Sequence, residues 1–153
     1  MKKSWKTLIL CIALPLAVGG LSALLTRDGM KTFETLNKPA LAPPGWLFPV
    51  AWTILYILMG IASYLVVTSG KPHKTALIFY GLQLAFNFFW SIIFFNLGQY
   101  LFAFIWLVIM WLLILITTFL FHAISEPAGY LMIPYLLWVT FAGYLNFSIY
   151  RLN

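Results

Sequence analysis

Leu36-Asn-Lys38-Pro39-Ala-Leu41-Ala-Pro43-Pro44-Gly45-Trp46-Leu-Phe48-Pro49-Val50-Ala-Trp52-Thr53-Ile-Leu-Tyr56-Ile-Leu-Met59-Gly60 carries one charge, Lys38, in twenty-five residues. It begins as a loop stiffened by Pro39, Pro43 and Pro44, whose rings fix φ, and runs without a break into an apolar helix. Pro49 either kinks the entry to that helix or sits in its first turn, where proline is tolerated. The junction gathers indole, phenol and hydroxyl groups at the mouth of a membrane bundle. Such a place suits a large, flat, apolar molecule and offers little for hydrolysis or phosphoryl transfer.

The rest of the chain agrees. Of its residues 63% are hydrophobic and 8% charged, with a mean hydropathy of +0.98, which leaves too little polar surface for a soluble domain. A membrane span takes about 20 apolar residues. Five such runs can be drawn, over residues 7–25, 46–67, 76–97, 100–121 and 130–150. None alternates strictly, so helices rather than barrel strands are expected. The expected fold is all-α: a single domain over residues 1–153, an integral, multi-pass bundle of five transmembrane helices. Asn96-Leu-Gly98-Gln99 reads as a tight turn, and residues 68–74 and 122–129 as short breaker-rich loops. Residues 26–45 form a longer connection, stiff in its second half, and read as a lid between the first two spans.

Nine Lys and Arg against three acids give a net charge of +6. The basic residues stand at the edges of the apolar runs, where they meet lipid headgroups, and no basic–aromatic groove for nucleic acid appears. One side collects Lys2, Lys3, Lys6, Lys71 and Lys74, the other Arg27, Lys31, Lys38 and Arg151. The balance leans slightly to a cytoplasmic N-terminus. The N-terminal run imitates a signal peptide, but Leu21 fits a cleavage site poorly, so an uncleaved first span is expected. Cys11, the lone cysteine, reads as a small apolar side chain.

Asp28, Glu34 and Glu126 are the only carboxylates and all lie in connections, so no acid–base pair forms. His73 and His122 lack ligand partners at metal spacing, and no metal or required cofactor is expected. With no charge in mid-span, a proton-coupled pump or ion channel is disfavoured. Gln83 and Asn87 are four apart, with Trp90 one turn on, on one face. Two amides in hydrocarbon point inward, to tie helices together or to line a pocket. Gly81 and Ala85 lie on the opposite face as a small-xxx-small pair suited to helix–helix contact, a homodimer interface being one form of it. Tyr135, Trp138, Ala142 and Asn146 share one stripe of the fifth span behind Pro134, and Trp52 and Tyr56 are i, i+4 neighbours in the second.

Three spaced motifs closely resemble the TspO/MBR family, the bacterial tryptophan-rich sensory proteins and the mitochondrial translocator protein or peripheral-type benzodiazepine receptor. They are Leu36-x-Lys38-Pro39 through Met59-Gly60; Gln83-x-x-x-Asn87-x-x-Trp90-Ser91-x-x-Phe94-Phe95; and Pro134-Tyr135-x-x-Trp138 through Phe141-Ala142, Asn146 and Arg151-Leu152-Asn153. The resemblance covers nearly the whole chain. It implies a five-helix bundle in a bacterial cell membrane, often dimeric, with a ligand cavity beneath the first loop. It implies binding of porphyrins such as protoporphyrin IX and haem and of synthetic benzodiazepine-site ligands. Carried over position by position, the cavity would be lined by Phe33, Trp46, Phe48, Val50, Trp52, Tyr56, Gln83, Asn87, Trp90, Trp138, Ala142 and Asn146.

A tetrapyrrole is flat and apolar with two propionates at one edge. The expected pose stacks it between Trp52 and Trp138, with Arg27, Lys31 and Lys38 meeting the propionates at the wet end. The family commonly has Trp-Tyr where this chain has Thr32-Phe33, and Trp where it has Leu41, so the lid is less aromatic. The sterol pattern of Leu or Val, Tyr, then Lys or Arg narrowly fails, because Tyr150 abuts Arg151. Three readings follow: a tetrapyrrole-binding sensor, carrier or sink in porphyrin homeostasis; light-dependent oxidative degradation of protoporphyrin with Trp52 and Trp138 as electron donors; and a small-solute or sterol transporter whose polar residues only hold helices together.

Overall fold

A computed structural model describes all 153 residues. Its helices are α1 (Trp5–Leu25), α2 (Arg27–Glu34), α3 (Leu47–Val67), α4 (Lys74–Ser91), α5 (Tyr100–Ile124) and α6 (Glu126–Leu152), with a π-helical turn over Ile92–Asn96 that continues α4. Five of these, α4 together with its π turn counting as one, are long and apolar enough to cross a membrane. The expected five-span, all-helical bundle is therefore present, and the protein is an integral, multi-pass membrane protein. Its outer surface is a coat of exposed large apolar side chains, among them Ile9, Leu14, Ile54, Ile78, Ile105, Phe119 and Leu137.

The spans form a ring in which α1 packs on α3, α3 on α6, α6 on α5, α5 on α4, and α4 lightly on α1. The backbones of α1 and α3 come unusually close. Pro15 cannot donate to the carbonyl one turn back, that of Cys11, and Gly60 lies directly over that gap. A Cβ on Gly60 would stand 2.6 Å from Ile12 Cα and 2.8 Å from the Cys11 carbonyl oxygen. Gly19 makes the matching approach from α1, against the ring of Tyr56.

Three details differ from the sequence expectation. Residues 26–45 are not all loop, because α2 fills the first half, with Asp28 in its first turn and Lys31 in its last, the charge order that suits a helix dipole. Residues 122–129 are not a loop either. Ser125 alone separates α5 from α6, and Gly129 allows the tight reversal, since a Cβ there would lie 2.8 Å from His122 Cα. The third span ends in the π turn, closed by Leu97 N–H donating to the Ile92 carbonyl at 3.0 Å, before Gly98 reverses the chain at φ +61°.

The lid is fastened at its start and near its middle. The Asn96 side chain donates to the Leu25 carbonyl at the end of α1 (3.0 Å), and Gly29 of α2 rests on the Phe95 backbone and the Asn96 side chain. Near the middle the Asn153 side chain accepts from Asn37 N–H (3.1 Å) and donates to the Asn37 carbonyl (2.9 Å). These bonds put the lid, the π turn and the end of α6 on one side of the membrane.

The α1–α3 contact generates a contrast between two glycines. Gly60→Ala is expected to lower stability by about 1–3 kcal/mol, the usual cost of overpacking, because the opposing atoms are backbone. Gly20→Ala meets nothing within 4 Å and should stay within about 0.5 kcal/mol of the parent. Thermal unfolding of the detergent-solubilised protein measures both.

Candidate functional site

Beneath the lid, α3 and α6 present a continuous aromatic cluster. Phe33 reaches down from α2 to Phe48 (centroids 6.2 Å apart), and Phe48 meets Trp138 at 6.0 Å. Trp138 meets Trp52 at 6.4 Å, and Trp52 stacks on Tyr56 at 5.5 Å and 27°. Sequence spacing explains the selection. Residues 48, 52, 56 and 59 fall on one face of α3, whereas 46, 50 and 54 fall on another. Trp46 and Val50 consequently lie outside the site, 67% and 47% exposed. Trp46 caps α3 at the water boundary, and Val50 belongs to the lipid-facing stripe.

The expected slot between Trp52 and Trp138 also differs. The two indoles stand edge to face, at 88°, a favoured aromatic geometry. A flat guest between two parallel faces needs about 7 Å, twice a contact distance of roughly 3.5 Å. One indole has to swing before a ring can be held between them.

Under the aromatic cluster lies a chain of hydrogen bonds joining three helices. Tyr56 hydroxyl of α3 donates to Asn87 Oδ1 of α4 at 3.0 Å. Asn87 Nδ2 donates to the Tyr135 hydroxyl of α6 at 2.8 Å, and that hydroxyl donates to Gln83 Oε1 of α4 at 2.7 Å. All four residues are buried, Gln83 at 0% and Asn87 at 2% exposure. Each phenol has one proton to give, so the chain runs in one direction, from Tyr56 to Gln83. It ends at Gln83 Nε2, a buried donor with no partner. Trp52 rests on this floor, against Tyr56 and Tyr135 (6.1 Å). A second tie lies nearer the lid, where Trp90 Nε1 donates to Asn146 Oδ1 (3.1 Å) and Asn146 Nδ2 to the Tyr100 carbonyl (2.8 Å). Ala142 is half-buried on the α6 face between Trp138 and Asn146.

The expected propionate contacts divide. Arg27 and Lys31 are exposed, and Lys31 stands 3.9 Å from Asp28 across a solvated pair. Lys38 is engaged, donating to the Glu34 carbonyl at 3.0 Å and lying 5.0 Å over the Phe33 ring. Gly81 and Ala85 face outward, away from Gln83 and Asn87, as their spacing requires. Sequence reasoning passed over Tyr135 as a site residue, although it sits one turn before Trp138. It also passed over Phe94 and Phe95, which the π turn brings around Phe33 and Trp90, and Tyr100 of α5, which packs on Phe94.

Asn87→Leu leaves the Tyr56 hydroxyl buried without an acceptor and is expected to cost about 1–2 kcal/mol. The double variant Tyr56→Phe/Asn87→Leu removes donor and acceptor together and should regain part of that loss in the same unfolding assay.

The profile of the TspO/MBR family matches residues 11–151. The chain is 41% identical to the tryptophan-rich protein TspO of Chlorobaculum tepidum, covering 100% of this chain and 99% of that one. It is 39% identical to the tryptophan-rich sensory protein of Cereibacter sphaeroides, over 100% and 95%. Identity to the translocator protein of Bos taurus is 34%, over 100% and 94%. With its five spans, its aromatic cluster below a fastened lid and likeness along its whole length to bacterial and animal members, the chain belongs to the TspO/MBR family.

Proposed function

We propose that the protein binds a flat hydrophobic ligand of the tetrapyrrole class, with protoporphyrin IX as the representative, and acts as its sensor, carrier or sink. The observation carrying this reading is the uncharged aromatic run Phe33–Phe48–Trp138–Trp52–Tyr56, which leads from the lid into the bundle. Stacking on indole faces needs no acid, base or metal, and the spans hold no carboxylate to supply one, Glu126 standing only at the first turn of α6. Arg27 and Lys31 are exposed near the lid, where the Arg27 guanidinium and the Lys31 ammonium, the latter beside Asp28, can orient propionates, with Lys38 held closer in. The other site residues carried over by resemblance act at one remove: Gln83, Asn87, Trp90 and Asn146 fix the helices that hold the aromatic wall.

Titration with protoporphyrin IX, read by quenching of tryptophan fluorescence, tests this. Trp52→Phe/Trp138→Phe is expected to weaken binding by about tenfold or more, since each aromatic contact contributes about 0.5–1.5 kcal/mol. Unchanged affinity would remove the indoles from the site.

The stack of Trp52 on Tyr56 favours a second reading, light-driven oxidation of bound protoporphyrin with dioxygen as the oxidant. Under illumination the Soret band would then fade faster with the parent protein than with the double tryptophan variant. Equal rates would leave binding alone.

A further inference from the structure

The end of the bundle opposite the lid gathers Lys2, Lys3 and Lys6 at the start of α1, Lys71 between α3 and α4, and Lys74 at the start of α4, all of them exposed. Glu126, at the start of α6, is its one acid. We propose that this end is a docking surface for anionic phospholipids, whose phosphate-bearing headgroups, of the phosphatidylglycerol kind, supply the counter-charge that the protein itself lacks there.

Three observations converge on it. The first is the charge balance. By bases alone the two ends differ little, five against four; the acids separate them. At the lid end Arg27, Lys31, Lys38 and Arg151 are offset by Asp28 and Glu34, which leaves two positive charges. At the opposite end five lysines face Glu126 alone, which leaves four. The one ion pair of the molecule, Lys31 with Asp28 at 3.9 Å, also belongs to the lid end.

The second is that the helix ends at this surface are already served from within. Helices α3 and α5 finish here, and their last carbonyls carry the negative end of the helix dipole. The Met1 amine donates to the carbonyl of Val67, the last residue of α3 (3.1 Å), and Lys71 Nζ to that of Ile124, the last residue of α5 (3.0 Å). These bonds draw the start of α1 and the α3–α4 connection onto the bundle, so Lys2, Lys3 and Lys74 are held at one end surface. The ammonium groups of Lys2, Lys3, Lys6 and Lys74 have neither a carbonyl nor a carboxylate of the chain to bind.

The third is depth. Trp5 of α1 and Tyr130 of α6 both stand near this end, 78% and 59% exposed, where amphipathic rings mark the headgroup level. The ammonium groups beside Trp5 therefore meet the phosphate plane of the bilayer, where basic residues are drawn to anionic lipid over about one Debye length. A free phosphate ion has the charge but nothing for exposed Ile9, Leu10 and Leu14 on the next turns of α1; a phospholipid brings headgroup and acyl chain together. The surface lies at the far end from the lid and does not rest on the tetrapyrrole reading.

Spin-labelled phosphatidylglycerol and phosphatidylcholine, added in trace to phosphatidylcholine vesicles that hold the full chain, report the preference as the share of each lipid slowed at the protein. At low salt phosphatidylglycerol should be favoured about threefold or more, falling toward parity in about 1 M sodium chloride, where charges are screened within about 3 Å. Lys2→Gln/Lys3→Gln/Lys6→Gln/Lys74→Gln should bring the preference to parity at low salt. Lys3→Gln/Lys74→Gln, which serves if the quadruple variant folds poorly, should lower it by about half. Arg27→Gln/Lys31→Gln at the lid end should leave most of it in place. No preference in the parent, a preference untouched by the lysine substitutions, or an equal loss in the Arg27/Lys31 variant would overturn the proposal. So would its abolition by inorganic phosphate at an ionic strength where sodium chloride leaves it intact, which would assign the surface to the free ion.

Discussion

Asn87 sits 2% exposed in the middle of a bundle where water does not compete for its amide. In that setting an unpaired amide costs far more than it does at a surface, and the phenols of Tyr56 and Tyr135 must both be within reach. This requirement fixes how α3, α4 and α6 are rotated and how far each has slid along its neighbour. A shift of one residue in any of the three would leave a hydroxyl or amide alone in hydrocarbon. Apolar packing cannot impose such a choice by itself, because lipid is as good a neighbour for leucine as another helix is. Gly60 completes the arrangement by letting the backbones of α3 and α1 touch, and Gly19 by making room for the Tyr56 ring.

The aromatic cluster depends on this frame. Tyr56 and Tyr135 are held by their hydroxyls, so their rings form a fixed floor, and Trp52 lies on both. The side of the cluster toward the lid is set by the π turn. One extra residue in that turn of α4 brings Phe94 and Phe95 together around Phe33 and supplies the backbone on which Gly29 rests. A widened turn of this kind often marks a functional region, and here it couples the lid helix to the helix that carries the amides.

Much of this was legible in the sequence, for stated reasons. Apolar runs of span length report bilayer thickness directly, so the five membrane helices could be read with ends in error by a few residues. The inward faces of α4 and α6 followed from amides and aromatics at helical spacing, and Gly81 and Ala85 fell on the outer face as that spacing demands. The lid helix was missed because prolines in the second half of the connection drew attention from the first half, where none occurs. The continuation of α5 and α6 up to Ser125 was missed because Pro127 and Gly129 read as breakers, although proline is tolerated in a first turn and Gly129 is there to let His122 pass. The relative tilt of Trp52 and Trp138 was not legible at all, since it is settled by side chains from three helices. The outward placement of Trp46 and Val50 was, by contrast, available from periodicity, and resemblance by position overrode it.

The reciprocal pairing of Asn37 and Asn153 has a mechanical consequence. Helix α6 is one uninterrupted element from Glu126 to Leu152, with Trp138 near its middle and Asn153 just past its end. Fifteen residues at 1.5 Å each separate the two by about 22 Å. A small displacement of α6 at Trp138 is therefore carried along the helix axis to the aqueous face and delivered to the lid at Asn37. One continuous helix thus ties the depth of the bilayer to the lid at the aqueous face.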